Sequence, residues 1–157
     1  KAVSYYDIGQ RIFQEQKNKA GVAYALMGLA SVYEKLGNTE NELQAYQEAR
    51  GAIESLELTR DFAWIYISIG NCYSRMGKKQ QAIQNYNIAQ PLFESQQDTD
   101  GLISVYRNLA MAYTELGDRM RAANLVITAI LLAKKVGDAQ TIEDLETLRQ
   151  AIDEYND

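Results

Sequence analysis

The chain of 157 residues has no histidine, one cysteine and one proline. Without histidine it lacks the side chain that most often serves as general base or metal ligand near neutral pH. Cys72 alone cannot form an intrachain disulfide, so nothing calls for an oxidising compartment and the expected location is the cytoplasm. Basic residues are in the minority, 16 Lys+Arg against 21 Asp+Glu for a net charge of −5. That balance argues against a nucleic-acid surface, because affinity for phosphate backbones comes mainly from Lys and Arg. No apolar run approaches the roughly 20 residues that span a bilayer, and no segment reads as a signal peptide.

What the chain does have is a period. Leu36-Gly37-Asn38, Met76-Gly77-Lys78 and Leu116-Gly117-Asp118, each preceded by Tyr33, Tyr73 or Tyr113, recur every 40 residues. Other columns keep the same spacing: Tyr6, Tyr46 and Tyr86, with Val126 in the fourth line; Gly9, Ala49, Ala89 and Ala129; Ala30, Gly70 and Ala110. Self-similarity of this kind marks a repeat architecture in which each unit buries its apolar face against its neighbours. Within a unit the apolar spacing is helical, as in Leu26, Leu29, Ala30, Tyr33 and Leu36. Two helices per unit follow. A first helix is expected over 20–36, 60–76 and 100–116, stopped by Gly37, Gly77 and Gly117 in the left-handed conformation of a C-cap. A second is expected over 1–17, 40–56, 80–96 and 120–136. Asn18, Asp98 and Asp138, with Thr59 and Thr99 in the next column, are N-cap residue types. Pro91 predicts a kink or break late in its helix, because it lacks the N–H for the carbonyl of Asn87. Short connections make neighbouring helices antiparallel.

Tyr66, Ile69, Gly70, Tyr73, Gly77, Ala82, Tyr86 and Ala89 reproduce in order the pattern of the tetratricopeptide repeat, which this chain resembles. The next unit supplies Tyr106, Leu109, Ala110, Tyr113, Gly117, Ala122 and Ala129, with Val126 for the aromatic. The unit before supplies Leu26, Leu29, Ala30, Tyr33, Gly37, Tyr46 and Ala49, with Glu42 where a small alanine is expected. The resemblance covers about residues 1–141 and departs in length, since the usual unit has about 34 residues. A unit of 40 is similar to the lengthened form in kinesin light chains, Leu-Gly-Asn-type polarity adaptors, bacterial peptide-sensing regulators and repeat arrays of large bacterial signalling proteins.

The fold implied is all-α: a right-handed α-solenoid of antiparallel helical hairpins with a C-terminal capping helix. Its expected divisions are 1–20 (the second helix of a truncated repeat), 21–60, 61–100 and 101–140 (full repeats) and 141–157 (the cap). The chain is expected to be a piece of a longer protein that begins inside a repeat. Residues 1–17 then lose cover over Val3, Tyr6 and Phe13, and self-association through that helix is an expectation. The cap keeps an apolar stripe of Ile142, Leu145, Leu148, Ile152 and Tyr155 and turns Glu143, Asp144, Glu146, Asp153 and Glu154 to solvent.

The resemblance also implies a function, a protein–protein interaction scaffold that holds a partner segment along a concave groove. The alternative is a peptide- or ligand-sensing repeat domain of a larger bacterial signalling protein. On each first helix a second stripe lies roughly 120° from the packing stripe, at about 100° per residue. The groove residues expected from it are Tyr24, Met27, Trp64, Ile67, Asn71, Arg107, Asn108 and Met111. Trp64, Tyr24, Met27 and Ile67 would form an apolar patch, and Arg107-Asn108 would offer a fork for a carboxylate and an amide for a peptide group. Met27, Ser31 and Met111 stand where the carboxylate clamp of chaperone-binding relatives needs basic residues and Asn. Asp98-Thr99-Asp100-Gly101 hints at a calcium loop, but Leu102, Val105 and Leu109 occupy the later ligand positions. Cys72 reads as a small buried hydrophobe. No catalytic residue, metal ligand or cofactor site is expected.

Overall fold

The structure, a computed structural model, describes residues 2–54 and 60–154. Among the described residues there are eight helices and no strand: α1 (Ala2–Glu15), α2 (Lys19–Lys35), α3 (Thr39–Ile53), α4 (Arg60–Arg75), α5 (Lys79–Gln96), α6 (Thr99–Glu115), α7 (Arg119–Val136) and α8 (Ala139–Glu154). Each packs on the next, and α4 also touches α6, so the chain stacks as a solenoid of hairpins.

The turns are built as the columns imply. Gly37, Gly77 and Gly117 have φ of 69°, 74° and 79°. Asn38, Lys78 and Asp118 then send their N–H groups back to the carbonyls of Tyr33, Tyr73 and Tyr113. A residue with a Cβ pays for that left-handed backbone, so glycine is the natural stop. Asn18, Asp98 and Asp138 cap the helices that follow, their carboxamide or carboxylate oxygens accepting from Gly21, Gly101 and Thr141 N–H at 2.9, 3.0 and 3.1 Å. Thr99 is the first residue of α6 and not its cap; Thr59 lies outside the described residues.

A second set of caps went unread in the sequence. Asn38 accepts from Asn41 N–H at 3.1 Å and Asp118 from Arg121 N–H at 3.2 Å. Lys78 holds the equivalent place before α5, with φ −89° and ψ 62°, and makes no side-chain cap bond. Lys78→Asp should therefore raise folding stability by about 1 kcal/mol, read as a higher midpoint in urea. An unchanged or lower midpoint would refute this reading of the turn.

The break expected at Pro91 does not occur. Helix α5 runs without a break from Lys79 to Gln96 across Pro91. Pro91 and Asn87 are both exposed, so water can satisfy the carbonyl that proline leaves unbonded. In α1, Phe13 and Tyr6 lose only part of their cover, and Tyr6 is 37% exposed. Their rings lie against Gly21 and Gly28, where an added Cβ would come within 2.5 and 2.1 Å of them. The outward residues are Ile8 and Ile12, at 52% and 46% exposure, while the side chain of Val3 lies outside the described residues.

The same ring-on-glycine packing recurs deeper in the stack. Phe93, fully buried, lies against Gly101, and Tyr86 lies against Gly70, where added Cβ atoms would fall 2.2 and 2.4 Å from ring carbons. The small-residue columns thus leave room for the rings of the preceding or following helix. At the C-terminal end, α8 buries Leu145 and Ile152 against α7 and exposes Glu143, Asp144, Glu146, Asp153 and Glu154.

Candidate functional site

Where α4 meets α6, a cleft of about 440 Å³ opens, lined by Asn71, Ser74 and Arg75 of α4, Tyr86 of α5, and Arg107, Asn108 and Met111 of α6. Its floor is a hydrogen-bonded chain that crosses two repeats. The phenol of Tyr86 donates to Asn71 Oδ1 at 2.8 Å, and Asn108 Nδ2 donates to the same oxygen at 3.1 Å. With both lone pairs of Asn71 Oδ1 taken, its Nδ2 group is held as a donor, and Asn108 keeps its Oδ1 as an acceptor. A peptide group needs that pairing of donor and acceptor. Met111 is 46% exposed beside it, and Arg107 is exposed with no ion pair among the described residues.

The wall on the α4 side holds a charge pair. Arg75 Nη2 donates to Glu42 Oε2 at 2.5 Å and reaches Cys72 Sγ at 3.6 Å. The Glu42 side chain is 4% exposed and that of Arg75 42%, so the acid is inside and the guanidinium reaches outward. At the rim, Lys79 Nζ pairs with Glu115 and donates to the carbonyl and hydroxyl oxygens of Ser74 at 2.9 and 3.2 Å.

Four of the eight residues expected from the sequence therefore meet in one place: Asn71, Arg107, Asn108 and Met111. The other four do not join them. Ile67 is 4% exposed and belongs to the core with Val105, Leu109 and Ala112 of α6, because the next repeat closes over that side of α4. Trp64 is half-buried, edge-on to Phe93 with ring centres 5.1 Å apart. Met27 packs on the core of Leu26 and Ala23, and only Tyr24, 52% exposed, stays open. The proposed apolar patch is thus largely folded into the core. The sequence reading missed Arg75 and Tyr86; the signal was Glu42, an acid in a small-residue column, which once buried requires a cation.

Burial pushes the thiol of Cys72 up from 9.0 to about 12, with Glu42 adding to it, and pushes the phenol of Tyr86 up from 10.0 to about 12. The folded chain keeps protons that the unfolded chain releases above pH 9. The stability these two groups contribute is therefore full below that pH and is lost as pH rises towards 12. The urea midpoint should be lower at about pH 10.5 than at about pH 8, and Cys72→Val should flatten the difference. A midpoint independent of pH in that window would contradict the burial of these two groups.

These features define a helical-repeat protein with a polar cleft between successive first helices. Residues 23–49 and 65–89 match the family model described as the tetratricopeptide repeat, so the chain carries repeats of that kind in two of its hairpins. No curated protein matches it in sequence. Among solved structures it is similar to BtubC (BKLC) from P. vanneervenii, at 16% identity and a TM-score of 0.79 over 96% of this chain and 64% of that one. It is also similar to aspartyl phosphate phosphatase F from Bacillus subtilis, at 18% identity and a TM-score of 0.87 over 96% of this chain and 39% of that one. A third likeness is to the nearly identical TPR-like repeats of a Podosopora anserina putative kinesin light chain, at 13% identity, a TM-score of 0.64, and 96% and 93% coverage. The chain thus spans less than two thirds of the first two. At these identities the likeness is one of fold. No described helix is long and apolar enough to cross a membrane.

Proposed function

We propose that this chain is a protein-interaction module that holds an extended segment of a partner across the cleft between α4 and α6. Its working units are the repeats 21–60, 61–100 and 101–140, between the helix of 1–20 and the cap of 141–157. The observation that carries the reading is the Tyr86–Asn71–Asn108 chain, which fixes a donor and an acceptor side by side at the floor of a solvent-open cleft. In this reading Asn71 and Asn108 pair with the backbone of the segment, Arg107 holds an acceptor or acid beside it, and Met111 covers an apolar side chain. No catalytic role is assigned to any residue.

The test is selection of binding peptides from a random display library against the full chain, followed by affinities for Arg107→Ala and Asn108→Ala. Loss of about tenfold or more with unchanged helicity and melting is the expected result. Selected peptides that bind both variants as well as the parent chain would remove the cleft from the proposal.

A further inference from the structure

Helices α3, α5 and α7 hold the same place in successive hairpins, and of the three only α7 is apolar in all of the three columns that follow. Met120 stands where the others have Glu40 and Gln80, Ile127 where they have Gln47 and Asn87, and Leu131 where they have Gly51 and Pro91. The three are 79%, 37% and 64% exposed. At about 100° per residue they fall within about 40° of one another, a stripe about 16 Å long. Packing does not require Met120 or Leu131, since the two sibling helices fill those columns with polar residues or breakers; in the column of Ile127, Gln47 donates to the Tyr73 hydroxyl of α4 at 3.2 Å. Charge changes in the same place. Helix α7 has Arg119, Arg121, Lys134 and Lys135 and no acid, and Lys134 replaces Glu54 and Glu94.

We infer that the outer face of α7 is a docking surface for an amphipathic helix of a partner whose apolar stripe is flanked by acidic residues. The stripe matches about three turns of such a helix, and Lys134 and Lys135 stand at its C-terminal end, whereas at the other end Arg121 is paired with Asp118 at 3.1 Å and lies over the ring of Tyr113. Lys135 has no ion pair among the described residues, and Lys134 meets Glu146 only at 3.6 Å with both side chains more than half exposed, so either can turn to an incoming carboxylate. A second copy of the same face would set Lys134 and Lys135 against Arg119 and Arg121 if it bound antiparallel, which repels. The surface shares no residue with the cleft of α4 and α6 and stands independently of it.

Two labelled helical peptides of identical apolar spacing, one flanked by Glu and one by Lys, test the assignment by fluorescence anisotropy with the full chain. The Glu peptide should bind and the Lys peptide should not. The triple variant Met120→Gln, Ile127→Asn, Leu131→Gln should weaken binding about tenfold or more without changing the melting curve. Lys134→Glu with Lys135→Ser should weaken it as well, and Arg107→Ala should leave it unchanged. Equal binding of the two peptides, no binding of the Glu peptide, or full affinity in the triple variant would overturn the inference. So would sedimentation showing a dimer, or flotation with vesicles of phosphatidylserine, that the triple variant abolishes.

Discussion

Phe93→Ala is expected to cost about 3–5 kcal/mol of folding stability. Phe93 is fully buried in the central core, and both Gly101 and Trp64 lie against its ring. Loss of the ring leaves a cavity whose walls are three helices that cannot all move inward. Gly101→Thr alone should cost about 1–3 kcal/mol, because its Cβ would fall on the ring and the ring has nowhere to go. The two together should cost less than their sum. The last hairpin already shows that combination, with Ala133 and Thr141 in the same two columns. A double-mutant cycle by urea unfolding measures the coupling, and simple additivity of the two costs would mean that ring and glycine do not share space.

The second large effect separates two residues of one ion pair. Arg75→Ala should cost about 3 kcal/mol, whereas Glu42→Ala should change stability by less than about 1 kcal/mol. The asymmetry follows from burial. With arginine gone, the carboxylate of Glu42, 4% exposed, is left inside with only the weakly donating thiol of Cys72; with glutamate gone, Arg75, 42% exposed, turns to water. Alanine also fits the site, because Ala82 and Ala122 occupy the same column and are fully buried. Equal losses from the two substitutions would show that Glu42 is not the desolvated member. The double variant Glu42→Ala, Arg75→Ala should be closer to the parent chain than Arg75→Ala alone.

What was legible in the sequence was local. The glycine stops, the caps of α2, α6 and α8 and the limits of the helices follow from residues within one turn of each other, and they match the structure within a few positions. The closing of the solenoid was harder to read. Ile67 and Trp64 lie off the packing stripe of their own hairpin, and it is α6, about one repeat later in the chain, that covers Ile67. Helical phase describes one hairpin and says nothing of the next one's tilt. Glu42 was visible as a break in its column, but its partner Arg75 lies on a different helix at a separation no helical period predicts. Asn71 and Asn108 were read as groove residues, yet their joining through Tyr86 depends on the meeting of three helices.

The contact of α4 with α6 has a mechanical consequence. Among the described residues every other contact of substance joins helices adjacent in the chain, so tension applied to the two ends meets one hairpin boundary at a time. The outer hairpins would peel away singly, each with a small step in length. Helices α4, α5 and α6 are cross-tied and should part last and together, which makes the middle of this spring stiffer than its ends.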